Sequence, residues 1–291
     1  MTLVSRLPAA LTISAVLLGL AAIACEPGVA PVLVEREQAR AIAAEIRVDL
    51  LESAEAEKRA VMAESDDASA KAADEAEAAT RALRERAAVL AGLLASLSYE
   101  PEAALLRTFE QQLAESQRVD ATLLELARGN TNEKAWRLAF GAGQAAADDF
   151  AARLAEAARG APPERAARAD ALAASALLAV REVQVLEAPH IRAAEDAAMM
   201  SLEARMAAAE ASARASVAAL AELIGPLDAV SEALDRFFRT HAEIVALSRQ
   251  NTDVRSLALS LGEKRRLTAA CDATLAELQD ALARRGQEAT R

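Results

Sequence analysis

Apolar residues in this chain recur at steps of three and four over long stretches, with little punctuation between them. The C-terminal stretch shows it best. Val230, Leu234, Phe237, His241, Ile244, Leu247, Asn251, Val254, Leu257 and Leu261 form one seam, the pattern of a helix lying against other helices. A helical pattern runs from Val34 to Leu97, where Ser98-Tyr99-Glu100-Pro101 ends it and sets Pro101 in the first turn of the next. The second segment continues to Arg159 and stops at Gly160-Ala161-Pro162-Pro163. The third reaches Ile224, before Gly225-Pro226, and the fourth reaches Arg285. Four such helices of about 60 residues would each be roughly 90 Å long. Short connections fold neighbours antiparallel. The predicted fold is all-α, a long up-down-up-down four-helix bundle made of two tandem hairpins, residues 34–160 and 163–286, with a polar tail at 287–291. Gly141 and Gly143 in the second helix and Pro189 in the third predict local bends.

The chain also repeats itself. LARGNTNEKAWRLAFG (126–141) aligns without a gap on LSRQNTDVRSLALSLG (247–262), with Leu126/Leu247, Arg128/Arg249, Asn130/Asn251, Thr131/Thr252, Leu138/Leu259 and Gly141/Gly262 identical. Residues 50–94 align more weakly on 180–224 at a different offset, matching Glu52/Glu182, Glu57/Glu187, Asp66/Asp196 and Leu90/Leu220. Two helical hairpins in tandem follow from this self-similarity.

In antiparallel hairpins, residues equidistant from a turn face each other. About the turn near Tyr99, Asn130 falls opposite Ala68, with Asp66 in reach of Asn130, Thr131 and Asn132. About the turn near Gly225, Asn251 falls opposite Met200 and Asp196 near Arg255. With both turns expected at one end, the two motifs meet at one height as a polar layer. The candidate ligand site is therefore Asp66, Arg128, Asn130, Thr131, Asn132, Asp196, Arg249, Asn251, Thr252, Asp253 and Arg255. A buried Asn in a helical seam also serves simply to fix register, at some loss of stability. On that reading, replacing Asn130 and Asn251 by leucine raises thermal stability.

Composition supports the helical reading. Aromatics are 2 %, and Gly and Pro number only 10 and 8, too few for a sandwich or an α/β core. The net charge of −11 is spread along the helices, which argues for a solvated face and against a nucleic-acid partner. At the N-terminus, Arg6 precedes the apolar run Leu7–Ala24, which ends at Cys25. Residues 1–25 read as an export signal, and Ala22-Ile23-Ala24-Cys25 resembles a lipobox with Cys25 as the lipidated residue. Three outcomes stand in order: lipoprotein, uncleaved N-terminal membrane anchor, cleaved signal. All three place the body outside the cytoplasm, in the periplasm of a bacterium, after a linker at 26–33.

Catalytic chemistry finds little footing. Glu187-x-x-His190 has the spacing of a di-iron helix motif, but the matching place in the first repeat is Glu57-x-x-Ala60. The same pairing sets His190 opposite Leu261, roughly 30 Å from His241, so no shared metal is expected. No C-x-x-C-H haem motif, phosphate-cradling glycine loop or Ser/His/Asp constellation is present. Met62, Met199, Met200 and Met206 read as core filler, and Cys271 as a packed thiol. The expectation is a protein with no catalytic residue, metal or cofactor.

Three stretches, EAEKRAVMAESDDASAKAADEA (55–76), ELARGNTNEKAWRLAFG (125–141) and EIVALSRQNTDVRSLALSLGEKRRLTAACDATLAEL (243–278), resemble the extracytoplasmic four-helix-bundle domain of methyl-accepting chemotaxis receptors. The resemblance implies a sensor that binds a small molecule or partner protein and passes on a small helix displacement. It implies dimerisation too, although alanine-rich surfaces suit a monomer equally. No second apolar span or signalling hairpin follows Leu282, so the expectation is the sensor module alone, read by a partner. The alternative is a structural envelope lipoprotein with no small ligand.

Overall fold

The computed structural model describes residues 29–288, and among them every element is helical and none is a strand. In the first half α1 spans Val29–Val61, α2 Asp66–Ser96, α3 Glu100–Gly129 and α4 Thr131–Leu138. A π-helical turn, Ala139–Gly143, leads into α5, Gln144–Arg159. The second half repeats the order with α6 Ala166–Arg192, α7 Asp196–Ile224, α8 Asp228–Gln250 and α9 Thr252–Leu259. A second π-helical turn, Ser260–Lys264, leads into α10, Arg265–Glu288.

Two of the four expected long helices are hairpins instead. The first breaks over 62–65, a stretch without Gly or Pro. There Ser65 is extended (φ −144, ψ 152) and its hydroxyl accepts the Ala68 N–H at 3.2 Å. Asp66 and Asp67 follow in the first turn of α2, beside the positive end of that helix. The third breaks over 193–195, just after Pro189 has removed a donor from the last turns of α6. Extended Glu195 then opens α7, with Asp196 in its first turn. At the other end of the chain, α1 begins at Val29 rather than Val34. Pro31 lies in the first turn, where a missing N–H costs nothing, so the expected linker is helical from Val29 on. Residues 1–28, including Cys25 and the export segment, lie outside the described residues, as does most of the tail.

These breaks change the topology. α1, α2, α3 and α10 close around one core, with Ile46, Leu90, Phe109 and Leu275 at its centre. α5, α6, α7 and α8 close around a second, with Phe150, Val180, Leu220 and Phe237. Side-chain bonds pair neighbouring helices antiparallel, as Glu35 with Ser96 and Glu45 with Arg86 in the first core and Arg181 with Asp148 in the second. The composite helices α3–α4–α5 and α8–α9–α10 run through both bundles and cross antiparallel between them. Each bundle therefore takes its fourth helix from the other repeat.

The single bundle with parallel second and fourth helices is replaced by a pseudo-twofold pair. The turns near Tyr99 and Gly225 lie at opposite ends, not at one. Arg285 of α10 stands 4.8 Å over the Tyr99 ring at one end, and Arg165 donates to the Leu223 carbonyl at 2.6 Å at the other. The bend expected at Gly141 and Gly143 is a π-helical turn, Ala139–Gly143, and a second turn that the sequence reading did not mark, Ser260–Lys264, lies at the equivalent position of the repeat. Gly143 sits at a close approach, where an added Cβ would meet the Leu138 carbonyl oxygen at 3.2 Å and Ile244 at 3.4 Å.

Candidate functional site

The repeated motif lies at the crossing, and its asparagines break the helices there. Asn130 (φ 48, ψ 40) and Asn251 (φ 53, ψ 37) are left-handed, a conformation that Asn tolerates better than most side chains. Each ends one helix and starts the next, leaving the first N–H groups of α4 and α9 without partners in their own helix. Each helix satisfies the other's. Thr252 Oγ1 accepts the Thr131 N–H at 2.9 Å, and Thr131 Oγ1 accepts the Thr252 N–H at 3.2 Å. Asp253 Oδ2 accepts from Glu133 N at 3.0 Å, while Asn132 Oδ1 accepts from Asp253 N at 3.1 Å. The N-T-N/D signature is a pair of helix caps exchanged in trans.

The amides tie this crossing to both hairpin turns. Asn132 Nδ2 donates to the Ile191 carbonyl at 2.6 Å and to Asn251 Oδ1 at 2.8 Å. Asn251 Nδ2 donates to the Ala193 carbonyl at 3.0 Å, and Asn130 Nδ2 to Asp66 Oδ1 at 3.0 Å. Lys134 and Arg137 also reach Asp66. Burial pushes the Asp66 carboxyl up, but the hydrogen bonds from Asn130 and Lys134 prevail and hold it below the usual range. Asp253 moves the other way, raised by burial more than the Glu133 N–H and Thr252 lower it. Gly129 lies so close that a Cβ there would stand 3.1 Å from Thr252.

The structure thus brings Asp66, Asn130, Thr131, Asn132, Asn251, Thr252 and Asp253 together where the two composite helices cross antiparallel. The remaining candidates lie apart from it. Arg128 pairs with Asp74 and Glu77, both at 2.8 Å, and Arg249 pairs with Glu203. Arg255 is exposed, and Asp196 faces Arg249 electrostatically rather than Arg255.

The histidines also correct the expected pairing. His190 Nδ1 meets Ser248 Oγ at 2.8 Å rather than facing Leu261, and His190 Nε2 meets Glu203 at 2.8 Å. His241 Nδ1 lies 2.9 Å from Glu187 Oε1, one turn before His190, so the rings are about 10 Å apart rather than 30 Å. Among the described residues no group of three ligating side chains is placed to hold a metal ion. Cys271 is buried, which pushes its thiol up to about 11 and makes it unreactive.

One constellation escaped the sequence reading. In the first bundle, Lys264 of the π-helical turn donates to Asp120 Oδ2 and Ser116 Oγ, each at 2.7 Å. Beside them Glu57 is 3 % exposed, and its Oε1 has no partner. Glu57, Gln117 and Asp120 line an open-sided cavity of about 250 Å³ between α1, α2 and α3. In the sequence Glu57 stands out only as the repeat mate of Glu187, and helical periodicity alone does not reveal that a lysine 207 positions later lies beside it. Among the described residues no helix is long and apolar enough to cross a membrane. Compared with known proteins, the chain matches no family model, no curated protein and no solved structure.

Proposed function

We propose that this chain is an extracytoplasmic helical module that binds a small molecule or a partner protein and passes the resulting strain from one bundle to the other. It would be held at a membrane through its N-terminus and would act as the sensing part of a signalling pair, as the resemblance to chemoreceptor sensor bundles suggests. The reading is one of binding, not catalysis. The observation that carries it is the shared pair of composite helices. Each contributes to both cores, and the two are locked by exchanged caps at Thr131 and Thr252. A displacement in one bundle therefore has a direct mechanical route into the other, a two-state element that a ligand can bias.

The test is cooperativity. Urea unfolding followed by circular dichroism and by Trp136 fluorescence, a probe beside the crossing that stacks with Arg192 at 4.7 Å, gives one coincident transition for the native chain. Replacing both threonines, T131V with T252V, splits it into two. A double variant that still unfolds in a single transition defeats the relay. The second reading, an envelope scaffold without a small ligand, is favoured by one observation: the polar side chains of the crossing spend their hydrogen bonds on each other. A native chain in which helix spacing in one bundle is indifferent to anything bound at the other would decide for it.

A further inference from the structure

The internal repeat supplies its own comparison. Glu57 in the first bundle and Glu187 in the second are equivalent, as are Asp120 and His241. In the second bundle the buried carboxylate is answered by a fixed imidazole, Glu187 Oε1 to His241 Nδ1 at 2.9 Å, and the lysine position is Gly143. In the first bundle the imidazole is replaced by another acid. Lys264 is spent on Asp120 and Ser116, so two carboxylates face one ammonium and one negative charge stays unbalanced when both are ionised.

Buried polar atoms in folded proteins nearly always have partners, and the exceptions call for an explanation. Among the described residues, four buried side-chain atoms lack one, and three of these, Glu57 Oε1, Asp120 Oδ1 and Gln117 Nε2, belong to residues that line the same cavity. We propose that this cavity is a binding site for a small primary ammonium ion, whose N–H groups take the place that His241 fills in the other bundle. Glu57 Oε1 and Asp120 Oδ1 accept two of its hydrogens. Gln117 accepts a third once its amide turns to present oxygen, an exchange of atoms that leaves its shape unchanged. Ala121 and Leu124 provide an apolar wall for a short tail. Arg81 and Arg84, exposed and with no ion pair among the described residues, line the mouth together with Glu77 and set the charge limit there, so a dication is disfavoured more than a single ammonium. The volume, about 250 Å³, suits a ligand of a few heavy atoms. Burial raises the carboxyls of both Glu57 and Asp120, against the lowering pull of Lys264 on each and of Ser260 on Glu57.

This inference gives a ligand class to the proposed sensing module and rests on that reading. Titrating the full chain with propylammonium at neutral pH, followed by calorimetry and by amide NMR, tests it. Saturable binding is expected, with shifts at Ser53, Thr80 and Gln117. Tetramethylammonium, which has no N–H, does not bind, and the dication putrescine binds more weakly. Glu57→Gln weakens propylammonium binding by about tenfold or more, the scale of one charge-assisted hydrogen bond, and Glu187→Gln leaves it unchanged. Absence of saturable binding by the native chain overturns the proposal, as do shifts confined elsewhere or equal binding by Glu57→Gln. If propylammonium fails to bind while T131V with T252V still splits the unfolding transition, the ligand class is wrong and the relay survives. If it binds while the transition stays single, the relay is wrong.

Discussion

Asn130 and Asn251 show how a single backbone angle changes the meaning of a residue. In an unbroken seam, each would be a costly register device, and leucine in its place would stabilise the fold. With φ at 48 and 53 they are breaks, and leucine there meets the steric penalty of the left-handed region. Asn130→Leu and Asn251→Leu should each lower stability by roughly 1–2 kcal/mol, read as a lower denaturation midpoint. Asn130→Gly relieves the strain and loses only the bond to Asp66. The identity and pairing of the N-T-N/D residues were legible from the repeat, but their role was not, because no propensity distinguishes a seam Asn from a left-handed one. The buried acids make a second residue-scale prediction. Burial raises Glu57 and Asp120 above the usual carboxylate range, so the folded chain holds protons that the unfolded chain releases. Their contribution is complete below the unfolded pKa and is lost as pH rises through the raised values. Glu57→Gln should therefore gain on the native chain at pH 7, and the gain should shrink in denaturation curves taken toward pH 4.

At the scale of elements, the long helical segments were legible, yet two interruptions inside them were not. Gly and Pro are the usual punctuation, and residues 62–65 contain neither. The available signal was chemical: a serine followed by two aspartates, a cap that reads equally well as a polar helix face. Ser65→Ala should cost about 1 kcal/mol by removing the acceptor for Ala68 N, measured as a drop in midpoint with an unchanged slope. Pro189 predicts a bend, and in the structure it precedes the turn that follows α6. Because both interruptions escaped notice, the hairpin arithmetic placed His190 opposite Leu261 instead of Ser248. About the turn at Tyr99 the same arithmetic worked, since Asn130 does meet Asp66, whereas about Gly225 it set Asp196 near Arg255 instead of Arg249.

For the whole molecule, the repeat announced two similar units but not that each completes the other. Offsets of aligned segments report similarity, and they are silent on which copy a helix packs against. The exchange of α5 and α10 leads to a prediction. Residues 29–162 and 163–288, produced separately, each lack the fourth wall of a core, so neither should give a sharp thermal transition as a monomer. Mixed, they should associate and regain the helical signal of the intact chain, measured by size exclusion and circular dichroism. Halves that each fold independently would contradict the exchange.

The late arrival of α10 has a consequence for biogenesis. Its bonds to the first bundle bridge enormous stretches of chain, 225 residues from Arg47 to Asp272 and 183 from Glu102 to Arg285. Nothing made early on the ribosome can seal that core, and contacts so distant in sequence form slowly. A nascent chain of this design can close its first core only once its last helix has been made, so a truncation before α10 leaves that bundle incomplete.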